Sequence, residues 1–198
     1  MRKALYFGFV VAAAVMFAVS AHAAAPSWSV DKAHSNIYFG VQHIYSTVKG
    51  MFNDFAGDIR FDPDNLGDSR FDFTVQVESI DTNITKRDNH LLSGDFFDAG
   101  KYPEMTFKSD AIDHLGGDKY SVVGTLTVKD VTRTITVPFT YFGTTANPFN
   151  PKQLVAGFEA RMTIDRLQYH VGAGKFYDMG VVGKEVDILI TIETVRDK

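Results

Sequence analysis

Large apolar side chains recur at every second residue through most of this chain, and that alternation restricts the fold more tightly than any other feature. Phe71, Phe73 and Val75 alternate with Asp72, Thr74 and Gln76, and Ile135, Val137, Phe139 and Tyr141 alternate with Thr134, Thr136, Pro138 and Thr140. Successive side chains of a strand point to opposite faces, so each apolar set covers one side of a sheet. The sets are rich in Phe. A sheet of about eight such strands, closed on itself, surrounds a narrow interior that holds either side chains or one slim apolar ligand.

The strands can be placed in order. From Trp28 to Ile44 a turn at Asp31-Lys32-Ala33-His34 precedes an alternating run with Ile37, Phe39, Val41 and His43 on one face. The next run, Val48 to Asp62, changes parity between Phe52 and Phe55, which demands a bulge near Asn53-Asp54. A third strand covers Phe71 to Glu78. Between Asp81 and Asp98 the period becomes helical, with Ile84, Asp88, Leu91 and Leu92 on one side and Thr82 or Asn83 as the cap. Strands resume at about residues 105–112, 119–129, 133–142, 154–165 and 184–195, and the Gly-rich Val171 to Gly183 reads as a connection. The expectation is an all-β, eight-stranded antiparallel barrel with one short helix after the third strand. A two-sheet sandwich has the same strand count, but the abundance of inward Phe favours a barrel with a channel.

The N-terminus reads as an export signal. Arg2 and Lys3 precede an apolar stretch from Leu5 to Val19, and Ala21-His22-Ala23 has the small-x-small form cut by a signal peptidase, so cleavage is expected before Ala24. Residues 1–23 are then the signal peptide, residues 24–198 the single domain, and the periplasm the destination; no membrane span is expected in the mature chain. The absence of Cys removes disulfides, thiol catalysis and thiolate metal sites. A formal net charge of −4, with no dense Lys/Arg stripe, argues against nucleic acid as a partner.

Short motifs in a fixed order carry a family resemblance. They include Trp28-x-x-Asp31-x-x-His34-Ser35-x-Ile37-x-Phe39, Val48-x-Gly50-x-Phe52-x-x-Phe55-x-Gly57 and Arg87-Asp88-x-His90-Leu91. Tyr102-Pro103-x-x-Thr106-Phe107, Gly124-x-Leu126-Thr127-Val128, Gly157-Phe158-x-Ala160 and Val182-Gly183-x-Glu185-Val186 follow. The chain resembles the YceI-like family of exported polyisoprenoid-binding proteins over essentially all of its mature length. Two places depart from the family pattern: Asp130 stands where members often have Gly, and Gln168-Tyr169-His170 stands where many have Asp-Phe-Gly. Asp130 is still suited to a left-handed turn. The resemblance implies a lipocalin-like barrel holding a long isoprenoid lipid, such as a quinone or its prenylated precursor, a homodimer, and the periplasm of a bacterium.

The expected channel lining is Ile37, Phe39, Val41, Phe55, Ile59, Phe71, Phe73, Val75, Leu126, Val137, Phe139, Tyr141, Phe158, Met162 and Ile188. Core packing explains any one of these, but so many large rings cannot meet at one small centre without leaving space. His43, Arg87, Asp88 and His90 are candidates for headgroup contacts; the plainer reading makes Arg87 and Asp88 a pair that ties the helix to the barrel and His43 a hydrogen-bonded core residue. No catalytic residues, required cofactor or metal are expected: the histidines lack H-x-H or H-x-x-x-H spacing, and Ser46-Thr47-Val48-Lys49 lacks the companion motifs of an acyl-transfer site. Two alternatives stand beside lipid carriage. One is an enzyme that isomerises or hydrolyses a hydrophobic substrate; the other is a stress-protective barrel filled by its own side chains.

Overall fold

A computed structural model describes residues 24–172 and 174–198, so the expected signal peptide lies outside the described residues. The strands are β1 (Ser27–Val30), β2 (Asn36–His43), β3 (Ser46–Phe52), β4 (Phe55–Arg60), β5 (Arg70–Gln76), β6 (Ile80–Asp81), β7 (Glu104–Gly116), β8 (Lys119–Val128), β9 (Val131–Ala146), β10 (Gln153–Asp165) and β11 (Val182–Asp197). Helix α1 (Thr85–Leu92) follows β6, and α2 (Lys175–Asp178) precedes β11. Neighbours run β4-β5-β7-β8-β9-β10-β11-β2-β3, every pair antiparallel. The barrel closes because β1 pairs with β11 on one side and β4 on the other.

β3 and β4 are two halves of one bent strand, which leaves eight long strands around the barrel. The bend falls at Asn53-Asp54, where the parity of the apolar residues changes. There the chain swaps partners: Asn53 N donates to Ser79 O at 3.1 Å, and Gln76 N donates to Asp54 O at 2.9 Å. The bulge turns a potential register fault into a barrel corner.

One end of the barrel, where β4, β7 and β9 finish, is packed solid. Phe61 is 2 % exposed. It sits among Phe71, Tyr120, Phe139, Tyr141 and Phe158, with ring centroids 5.0–6.2 Å away. Trp28 Nε1 donates to Phe61 O at 3.0 Å and fixes the backbone that carries this plug. Burying a side chain of that size stabilises by about 1.5–3 kcal/mol.

Three local expectations differ from what is found. Neither Thr82 nor Asn83 caps α1; Ile84 holds the N-cap position without a side-chain bond. Instead the Asp88 carboxylate reaches back to Thr82 N at 2.9 Å, and Asp81 Oδ1 accepts from Asn83 N at 2.7 Å. The left-handed residue in the β8–β9 turn is Lys129, with φ 55°, rather than Asp130. The Val171–Gly183 connection contains the short α2. Among the described residues no helix is long and apolar enough to cross a membrane.

Candidate ligand cavity

Above the Phe61 plug the barrel is hollow. The cavity has a volume of about 240 Å³, and its walls come from alternate residues of the strands. On β11 these are Val182, Val186, Ile188, Ile190 and Ile192; on β10, Phe158, Ala160, Met162 and Ile164. Ten residues separate Val182 from Ile192. β2 takes only two residues (His43 to Val41) where β11 takes four (Val182 to Val186), so the stretch has the height of about eight strand residues. At roughly 3.3 Å per residue and a tilt of about 40°, the hollow runs ~20 Å along the barrel axis.

Every expected lining residue except Phe55 and Tyr141 is on this wall. Phe55 is buried in the surrounding core, just past the β3–β4 bend. Tyr141 belongs to the plug: its ring stacks on Phe158 at 5.4 Å, and its hydroxyl is 2.6 Å from Thr144 Oγ1. Its parity is inward, but its height along the barrel places it below the hollow.

A lumen walled by so many rings stays open because several of those rings press against glycines. Phe39 faces Gly50 across β2–β3, and Phe73 faces Gly57 across β4–β5. Phe107 leans diagonally onto Gly124 of β8. A Cβ built on Gly50, Gly57 or Gly124 would stand 2.8 Å from Phe39 Cε1, 2.8 Å from Phe73 Cε1 or 2.9 Å from Phe107 Cε2. Such separations are far inside the 3.5–4.0 Å optimum for carbon pairs. The glycines therefore make room for three rings against the sheet, and the barrel axis is left free.

The four candidate headgroup residues are not on the wall. His43 is the last residue of β2, paired with Ser46 at the exposed end of the hairpin. Arg87 is committed to the buried Thr82: its Nε donates to Thr82 Oγ1 at 2.7 Å and a terminal nitrogen to Thr82 O at 2.6 Å. Asp88 accepts from the same residue. His90 lies 3.1 Å from Asp95 Oδ2, with its ring edge-on to Phe96 and Phe176. Arg87 and Asp88 thus form a strut between α1 and the strand before it, because a helix start without a side-chain cap leaves Thr82 to be held by the helix's own residues.

Other lining residues were outside the sequence reading. Leu91, Phe96 and Phe97 from the α1 segment cover the flank beside β3, and Met105 and Phe107 extend the wall along β7. Arg166 also borders the cavity and is 5 % exposed. It donates to Gly183 O at 2.7 Å, Val171 O at 2.6 Å and Val182 O at 3.1 Å. Burial lowers its pKa from the usual guanidinium value. Its bonds tie the end of β10 to the connection before β11. In sequence Arg166 merely follows the alternating run of β10, which does not distinguish a wall from a latch.

The surface offered to a ligand is almost wholly hydrocarbon. Such a wall extracts apolar chains from water and distinguishes them by length and girth. Among the described residues Asp31, His34 and Glu193 form the one cluster of three side chains able to bind a metal; it is on the outer surface and not on this wall.

A closed antiparallel barrel, plugged at one end and hollow and apolar above the plug, defines a lipocalin-like binding barrel. The match is more specific than that. The model of the YceI-like domain covers residues 28–194, and the chain belongs to that family. It is 37% identical over 185 residues to a UPF0312 protein of Vibrio parahaemolyticus, covering 90% of this chain and 95% of the relative. It is 35% identical over 189 residues to protein YceI of Escherichia coli O6:H1, covering 94% and 95% of the two chains. The solved structure of Burkholderia cenocepacia BcnA superposes with a TM-score of 0.76 at 31% identity, over 83% of this chain and 98% of that one. A polyisoprenoid binding domain from Saccharophagus degradans shares the fold, with a TM-score of 0.62 at 15% identity, over 84% and 97%.

Proposed function

We propose that this protein binds and carries a long isoprenoid lipid, a quinone or a prenylated precursor, without chemical change, in the periplasm after removal of residues 1–23. The observation that carries the reading is the ~20 Å apolar hollow, kept clear by rings packed against glycines. The fold shared with a domain that bears the name polyisoprenoid binding supports it. The same hollow disfavours a barrel filled by its own side chains.

Binding is driven by moving hydrocarbon out of water. At about 0.8 kcal/mol per buried CH₂, ten such groups correspond to ~8 kcal/mol, and a polyprenyl tail has several times that many. The gross sum soon passes the ceiling of non-covalent affinity. Preference is therefore set by how much tail fits between the plug and the far rim. Headgroup recognition contributes less, since Arg87, Asp88 and His90 are engaged elsewhere and His43 is off the cavity wall. Organic extraction and mass spectrometry of protein purified from its own host should find a prenyl lipid. Delipidated protein titrated with prenyl alcohols of graded length should show affinity that climbs and then levels off. Lipid-free isolates together with indifference to length would sink the reading.

A further inference from the structure

A carrier of a water-insoluble chain must collect it from somewhere, and the hollow end of this barrel has an unusual rim. The β2–β3 tip exposes Ile44 and Tyr45, and the turn containing α2 exposes Tyr177 and Met179. Tyr45 is 98 % exposed. The two loops are joined: Ile44 N donates to Val181 O at 3.0 Å, and Val181 N donates to Phe176 O at 2.9 Å. Ile44 is held at φ 51°, a conformation that β-branched residues avoid. Immediately beneath, Val182 pairs with His43, and both Val182 and Val41 are on the cavity wall. Phe176 stacks on Phe96, itself a wall residue, with centroids 5.2 Å apart and planes at 9°. The exposed apolar rim is thus continuous with the apolar interior.

The tip loops also carry cations. Lys49 and Lys175 are exposed there beside Asp178, while Lys184 just below them pairs with Asp165 at 3.7 Å. We propose that the protein docks hollow end first on an anionic phospholipid bilayer, with Ile44, Tyr45, Tyr177 and Met179 entering the interfacial layer. Aromatic and apolar tips favour that layer, and cations beside them are drawn to anionic headgroups. The prenyl chain then passes from hydrocarbon to hydrocarbon without crossing water. This deepens the carriage reading and depends on it for its purpose, though not for its test.

The test uses the protein carrying residues 24–198 and vesicles of equal phosphatidylcholine and phosphatidylglycerol. Cosedimentation should be strong at low salt, and the pair Tyr45→Ser and Met179→Ser should weaken it about tenfold, as expected from the loss of exposed apolar area. The variant should still take a prenyl alcohol from detergent as well as the parent, which shows an intact barrel. Leu115→Ser with Phe149→Ser, two exposed apolar residues at the plugged end, should leave vesicle binding unchanged. Docking is overturned if the parent ignores the vesicles, if the rim variant sediments as well as the parent, or if the plugged-end variant loses as much. It is equally overturned if the rim substitutions dissociate a dimer and leave vesicle binding untouched. Failure of every protein to take prenyl alcohol from detergent would instead refute the carriage reading.

Discussion

Gly50→Ala puts the account of the open lumen to its hardest test. Gly50 is in β3 with ordinary strand geometry, so an alanine there has no backbone strain. Replacing glycine by alanine at such a site would by itself stabilise by about 0.4–1 kcal/mol, through the unfolded chain. The new methyl, however, would stand 2.8 Å from both Phe39 Cε1 and Thr82 Cγ2. Restoring carbon–carbon contact requires the Phe39 ring to retreat by roughly 1 Å. Its backbone is held by the β2–β3 ladder, so the ring must swing towards the barrel axis, and overpacking of this kind costs about 1–3 kcal/mol. The net expectation is a destabilisation of about 0.5–2 kcal/mol, seen as a lower urea midpoint with unchanged slope in delipidated protein. The larger effect should be on binding: a ring in a slim tunnel blocks everything beyond it, so long prenyl alcohols should lose far more affinity than short ones. A variant that is more stable and binds the whole length series unchanged would refute the argument.

Three further outcomes follow from the same geometry. Phe61→Ala should cost about 3–5 kcal/mol in urea unfolding, while Phe61→Leu should cost about 1–2 kcal/mol and move the plateau of the prenyl series to longer chains; a plateau that stays put would mean the plug does not end the tunnel. Arg87→Met should lower stability by about 1–3 kcal/mol, because the buried Thr82 loses two charge-assisted bonds, with prenyl affinity unaltered; selective loss of affinity would restore the headgroup reading. The hydrogen bond between His34 Nδ1 and Asp31 raises the His34 pKa above its ordinary value of about 6.5, and the same bond lowers that of Asp31. The His34 contribution to stability is fully present below pH ~6.5 and disappears as pH rises through its raised value. The Asp31 contribution is present above about pH 3.9 and disappears as pH falls through its lowered value. NMR titration of His34 should therefore give an elevated pKa that falls in Asp31→Asn, with Glu193 3.9 Å away still favouring the charged ring, and no change in that variant would refute the pairing.

Alternation is a local property, which is why most of the wall could be read directly. Phe71, Phe73 and Val75 point inward whatever the rest of the chain does, because a strand has a period of two. The bulge at Asn53-Asp54 was legible for the same reason, as a parity fault. Height along the barrel was not legible. Tyr141 and Phe139 share a parity and both pack on Phe61, yet only Phe139 also reaches the hollow, and only the stagger between neighbouring strands separates them. Arg87 and Asp88 look like a polar entrance when written in a row. The fold turns them back on Thr82, and that depends on where α1 starts relative to β6. Arg166 could not be placed because its partners, Val171, Val182 and Gly183, belong to a connection whose path no periodicity describes.

The amino-acid order alone therefore determined that this chain makes strands, that they are amphipathic, which side of each is greasy and where one must bend. These features follow from backbone sterics and from the cost of burying polar groups, and they act over a few residues at a time. Whether the greasy sides meet as a solid core or surround a hollow was decided only in three dimensions. There the register between strands set Phe39 on Gly50, Phe73 on Gly57 and Phe107 beside Gly124, while Phe61 filled one end. A tunnel is a relation among strands distant in sequence, and its existence rests on how their side chains share one volume.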